Sequence, residues 1–176
     1  NELISFYEKR RSNYAAQLIS INKKIYLISN LRLATALASL VFIYFTFTNT
    51  SFFYVALPLL VTFALLVRRH SKLFNEKLHL ENLITIHKHE LQGLTGDISC
   101  FMNGSEFLDL HHPYTHDLDI FGDGSLFQSV NRCNTLQGKK ELANRLSGPL
   151  GSADEIQTNQ NAIQELAGKT DFRQHF

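Results

Sequence analysis

Cysteine is scarce in this sequence. Cys100 and Cys133 are its only thiols, and neither belongs to a C-x-x-C pair or lies beside a ligand-spaced histidine. That argues against a disulfide framework or a structural zinc site, and two unpaired thiols fit a reducing compartment. A phosphate-binding loop is missing as well: no G-x-x-x-x-G-K-[ST] segment occurs, and Gly122-Asp123-Gly124 lacks the lysine and spacing of a phosphate cradle. The residues also offer no nucleophile–base pair and no acid–base carboxylate dyad, so no catalytic residue is assigned. The chain opens at Asn1 without a methionine and stops at Phe176 without a closing signal, which reads as a piece of a longer protein.

The most informative absence is of charge. Between Arg32 and Arg68 lie 35 residues, Leu33 to Val67, without Asp, Glu, Lys, Arg or His. One membrane-spanning helix needs about 20 apolar residues, so the run is too long for one span and short for two. Thr46, Thr48, Asn49, Thr50 and Ser51 break it near its middle. Leu33–Phe47 and Phe52–Val67 are therefore expected as two short transmembrane spans of a helical hairpin. Each covers only about 24 Å of a hydrocarbon core about 30 Å thick. Snorkelling of Arg32, Arg68 and Arg69 absorbs the shortfall. The outer flanks are basic and the connecting turn is uncharged, which predicts an inner (cytoplasmic) membrane location with both ends cytoplasmic. Aromatic residues crowd the turn, as at a membrane interface, and Pro58 inside the second span predicts a mild kink. A buried hairpin in a soluble bundle would carry a polar stripe, and neither span does.

Charge elsewhere is divided. Residues 1–96 hold eleven basic and five acidic residues, a balance of +6, while residues 97–176 hold six and eleven, a balance of −5. Such asymmetry implies different surroundings for the two halves. Residues 2–29 and 70–92 carry apolar stripes at helical intervals, among them Tyr7, Tyr14, Ile21 and Ile28, then Leu73, Leu80 and Leu83. Two such helices leaving one side of a hairpin are expected to pair in coiled-coil fashion; lying flat on an anionic surface is the alternative.

From Asp97 the texture becomes that of a compact cytosolic segment. Glu106–Leu110 and Asp117–Phe121 alternate as short β-strands do, with His112-Pro113-Tyr114 as the link. Ser125 to Gln128 and Ser152 to Glu155 are capping boxes, and Thr135 can cap a helix reaching Leu146 that Ser147-Gly148-Pro149 stops. Leu126, Phe127 and Val130, and further on Ile156, Ile163 and Leu166, are expected to face inward.

These residues fall in a recognisable order. Asp117-Leu-Asp-Ile-Phe-Gly122, Ser125-Leu-Phe-Gln-Ser-Val-Asn-Arg132, Thr135-Leu-Gln-Gly138, Leu146-Ser-Gly-Pro-Leu150 and the helix Ile156–Leu166 together resemble the start of the core domain of MutS-family proteins, over roughly residues 106–176. The resemblance implies a full-length DNA mismatch repair-type protein with a clamp region and a C-terminal ATPase that needs ATP and Mg, neither of which these residues would bind. It also implies DNA as a partner of the full protein, and a homodimer. The mismatch-reading and connector domains expected before the core are replaced here by the hairpin.

The expected architecture is mainly α: an amphipathic helix (1–32), the transmembrane hairpin (33–67), a second amphipathic helix (68–96) and an incomplete MutS-like core with short strands (97–176). The function implied is the membrane-anchoring and core-domain part of a MutS-like ATPase. The alternative is a membrane scaffold or protein-interaction module without DNA or ATPase activity. Arg132, Lys139, Lys140 and Arg145 are the candidate phosphate contacts, set against an ordinary solvated helix face. His111, His112 and His116 lie near Asp117 and Asp119, but Pro113 opposes the helix that i,i+4 ligation needs, so no metal site is assigned.

Overall fold

The computed structural model describes residues 2–47, 49–148 and 151–175. Thr48 of the polar break lies outside them, and so do Pro149 of the expected helix stop and Leu150 of the MutS-like run. The chain divides into two compact units, residues 1–88 and 89–176.

The first unit is built from two very long helices. α1 spans Glu2–Thr46 and α2 spans Phe53–Leu94, with Pro58 inside it. The expected amphipathic helices and the apolar runs therefore merge into continuous elements: Arg32, Arg68 and Arg69 are good helix formers, and no glycine or proline stands at either junction. Between the helices, a 3-10 turn covers Thr50–Phe52, and the Asn49 side chain accepts a hydrogen bond from the Ser51 N–H at 3.0 Å.

The least exposed residues of the pair recur every three or four positions. On α1 they include Tyr7, Tyr14, Ile21, Ile28, Thr35 and Phe42; on α2, Leu59, Leu66, Leu73, Leu80 and His87. That spacing is the 3.5-residue seam of helices paired along their length. Ring contacts fix the direction. His87, fully buried, stacks on Tyr14 with centroids 5.5 Å apart and planes 11° from parallel, and lies 5.6 Å from the Tyr7 ring. At the other end Phe45 and Phe42 lie 5.7 and 6.2 Å from Phe52. The helices run antiparallel. Within the apolar run the buried residues are small ones, Ser39 and Ala56.

In the second unit the two expected strands do not form, and no strand occurs among the described residues. Ser105–Phe107 is a 3-10 turn, and residues 110–119 are turns and bends. Side chains bind their own backbone instead of a neighbouring strand. The Asn103 side-chain Oδ1 accepts from the Ser105 N–H, and the Asp109 carboxylate accepts from that of His111. Asp119 adopts φ 47°, which no extended strand tolerates. Alternation over five residues was satisfied by a turn because no partner strand exists to complete a ladder.

Three short helices and a terminal turn of helix follow: α3 (Leu126–Val130), α4 (Leu136–Ser147), α5 (Ala153–Ala167) and α6 (Thr170–His175). Their caps are the expected ones. Ser125 accepts from Gln128 N–H, Thr135 from Gly138 N–H and Ser152 from Glu155 N–H. The core gathers Ile120, Phe121, Phe127 and Ala143, with Phe107, Leu142 and Leu146 against it. Phe107, Phe121 and Phe127 form an aromatic trio with centroids 5.6 to 6.0 Å apart. Of the α3 face only Phe127 is buried, since Leu126 and Val130 are 45% and 47% exposed. The α5 residues Ile156, Ile163 and Leu166 are exposed as well; a helix can carry an apolar stripe without meeting a partner among the described residues.

Candidate functional site

Two features of the chain could serve a function: the folded patch around Arg132 in the second unit, and the apolar helix pair in the first.

The patch begins with α3. It is five residues long, too short to persist alone, and polar side chains hold it in place. Gln128 donates from Nε2 to the Phe101 carbonyl at 2.9 Å and accepts from the Gly124 N–H at 2.8 Å. Asn131 donates to the Met102 carbonyl at 3.2 Å and accepts from the Cys133 N–H at 2.9 Å. Both side chains are buried, and each uses both ends of its amide on backbone groups. The segment 101–103 is thereby stitched to α3.

Arg132 completes this stitching. Its Nε donates to Glu90 Oε1 at 2.7 Å, its Nη1 donates to the carbonyls of Ser129 and Asn131, and its guanidinium carbon sits 3.6 Å from the centroid of Phe101. His89 meets the Phe101 ring edge-on. The guanidinium is consumed by a carboxylate, two carbonyls and an aromatic face, a typical use of its planar fork.

The other expected phosphate contacts have separate surroundings. Lys139 Nζ lies 2.8 Å from Met102 Sδ. Arg145 donates to Glu141 at 2.7 Å and to Asn159 at 2.9 Å, tying α4 to α5. Lys140 is exposed, and nothing engages it among the described residues. The structure thus joins Arg132, Lys139 and Arg145 to three different neighbours.

The histidines divide in the same manner. His111 is exposed beside Asp109. His112 accepts the Tyr114 and Thr115 N–H groups at Nδ1, which places its proton on Nε2, 3.0 Å from the Ser147 carbonyl. It fastens the loop to the end of α4. Among the described residues no group of three or more His, Cys, Asp or Glu could hold a metal ion. Sequence reasoning missed the roles of Gln128, Asn131 and His112; the only available signal was polar residues amid an apolar helix and loop.

The Asp97 carboxyl is held below its ordinary value. The Ser99 hydroxyl donates to its carboxylate at 2.6 Å and the Ser99 N–H at 3.1 Å, and both hold its pKa below the ordinary 3.8.

In the first unit, both long helices are long and apolar enough to cross a membrane, and only 6% of each apolar window is buried within the protein. Near the turn, Ile43 and Phe47 of α1 and Phe53, Leu57 and Leu60 of α2 line a shared apolar cleft of about 240 Å³.

Residues 108–176 match the family model of MutS domain III, which relates this segment, less than half of the chain, to the MutS family. No curated protein and no solved structure matches the chain.

Proposed function

From the MutS-family relationship of residues 108–176, we propose that this chain is the membrane-anchoring and core-domain part of a MutS-like ATPase. The observation that carries the reading is the order of parts. A helix pair with 35 uncharged residues about its turn precedes a MutS-related folded segment in one chain. A helix pair whose apolar windows stay exposed needs another solvent than water, and a bilayer supplies it. Basic residues flank the windows and none lies in the turn, which supports an inner-membrane anchor with both ends in the cytoplasm.

ATP, Mg and DNA enter this reading only through a longer protein. The sequence has no phosphate-binding loop, and among the described residues no group of three or more His, Cys, Asp or Glu could hold a cation, so no residue is assigned to ATP or Mg. A scaffold without DNA or ATPase activity is the second reading. It is favoured by the engagement of Arg132, Lys139 and Arg145 within the fold, which leaves Lys140 as the remaining candidate for a phosphate.

Two measurements separate these readings. After an alkaline carbonate wash, the chain should stay with the membrane pellet; recovery in the supernatant without detergent overturns the anchor. A reading frame continuing past Phe176 should encode G-x-x-x-x-G-K-[ST] and yield a product that hydrolyses ATP. Its absence leaves the scaffold.

A further inference from the structure

The cations that close the second apolar stretch are crowded onto one face of α2. Arg68 and Arg69 stand four and three positions before Lys72, the spacing that makes side chains neighbours on a helix. All three are exposed. The acids of residues 1–88 are distant or engaged: Glu2 and Glu8 lie at the start of α1, Glu81 meets Lys77 at 3.6 Å, and Glu76 stands one turn beyond Lys72. Lys77 is thereby shared between Glu81 and the Phe74 ring. Among the described residues no carboxylate forms an ion pair with Arg68, Arg69 or Lys72. Like charges so placed repel one another along the helix.

The partner helix adds charge at the same height. Arg32 is 18 residues from Tyr14 and Arg68 is 19 from His87, so both stand about 28 Å from the place where those rings stack. Lys23 and Lys24 follow on α1, about 12 Å farther from the charge-free run. In the other direction, steps of four lead from Arg69 to Leu65, Val61 and Leu57, which are 59%, 53% and 51% exposed. From Arg68 to Leu57 is about 16 Å, close to half of a hydrocarbon core about 30 Å thick. One face of α2 therefore offers an anion-binding end and an apolar track as long as one acyl chain.

We propose that this face binds an anionic phospholipid, its phosphate held by Arg68, Arg69 and Lys72 and an acyl chain laid along Leu65, Val61 and Leu57. Such binding presupposes the membrane anchor and adds a preference to it: the bilayer not only dissolves the helices but supplies a chosen headgroup. Guanidinium groups take phosphate oxygens through paired N–H donors and are more weakly hydrated than an ammonium. A zwitterionic headgroup carries the same phosphate but brings its own cation, which the three basic groups repel. An anionic headgroup brings none, so it relieves their mutual repulsion. Free phosphate answers the charges but leaves the apolar track uncovered. Duplex DNA shares the phosphate chemistry, yet it has no tail to lay along three aliphatic side chains.

The test uses the 176-residue chain in neutral detergent micelles with equal amounts of phosphatidylglycerol and phosphatidylcholine of the same acyl chains. Native mass spectrometry reads the lipid that stays bound. The unaltered chain should prefer phosphatidylglycerol by about fivefold, the worth of one cation beside an anionic headgroup, or more. The preference should fall as salt is raised. Arg68→Gln, Arg69→Gln and Lys72→Gln together should bring the ratio close to one; glutamine is a good helix former, and circular dichroism checks the helix content. Lys9→Gln, Arg11→Gln and Lys88→Gln remove the same charge far from the run and should leave the ratio unchanged. Neither inorganic phosphate nor glycerol phosphate at millimolar concentration should displace the lipid. A ratio near one in the unaltered chain, a salt-independent preference, equal ratios in the two triple variants, or displacement by a soluble phosphate or by duplex DNA overturns the proposal. Retention after carbonate is scored separately: a chain that stays in the pellet without a lipid preference sinks this inference alone, and recovery in the supernatant removes the anchor.

Discussion

The guanidinium carbon of Arg132 lies over Phe101, 3.6 Å from the ring centroid, while its Nε reaches Glu90 at 2.7 Å. One side chain thus binds the last turns of α2 to the segment ahead of the core. Arg132→Ala should lower stability by about 1–3 kcal/mol, combining a cation–π contact with a partly exposed ion pair. Arg132→Lys should recover only part of that, because an ammonium cannot stack and fork together. Chemical denaturation of the three proteins measures the order, and equal stability of the alanine and lysine variants would contradict the planar role.

Gly104 carries φ 69°, and a Cβ built there would stand 2.6 Å from Cδ1 of Phe127. Phe127 is fully buried at the centre of the aromatic trio, so it has nowhere to retreat. Gly104→Ala should therefore cost about 2–4 kcal/mol, from left-handed strain plus overpacking. A melting temperature unchanged from that of the parent would show that the turn rebuilds freely.

Ala56 is buried where the helices meet near the turn. Ala56→Leu should separate them and cost about 1–3 kcal/mol, whereas Ala64→Leu, on an exposed position, should leave the isolated hairpin unaffected. Spin labels placed on the two helices would report the separation directly.

The Asp97 carboxyl should titrate below 3.8, held there first by the Ser99 hydroxyl and then by the Ser99 N–H. The sign follows from the depressed value: whatever the contact contributes is present above the unfolded-state pKa and fades as pH falls through the folded one. Ser99→Ala should move the titration upward toward the ordinary value in an NMR pH series. An unmoved titration would assign the depression to another cause.

Much of this organisation could be read before any coordinates. The charge-free run, the polar break and the seam residues are periodic signals repeated over many turns. Ser125, Thr135 and Ser152 cap helices by local chemistry that three adjacent residues specify. What failed was short or non-local. Glu106–Leu110 alternates as a strand does, but five residues cannot reveal that no partner strand exists. Ile156, Ile163 and Leu166 mark a helix face without saying whether anything lies against it. Arg132 and Glu90 stand 42 positions apart, and no pattern links them. Of the four cations read as phosphate contacts, three turned out to have neighbours that only the folded chain supplies.

The tip of the hairpin has a consequence for how such a chain is made. Asn49 binds the backbone of Ser51 with its own side chain, and the Phe53 N–H reaches the Thr50 carbonyl. Under the proposed membrane anchoring, a tip that pairs these two backbone N–H groups and bears no ion lowers the dehydration cost of passing through oil. Both helices could enter a bilayer together from the side of synthesis, with no folded domain to thread across. The hydroxyls of Thr50 and Ser51 would be the principal toll, and a single lysine written into that turn would convert easy entry into arrested entry.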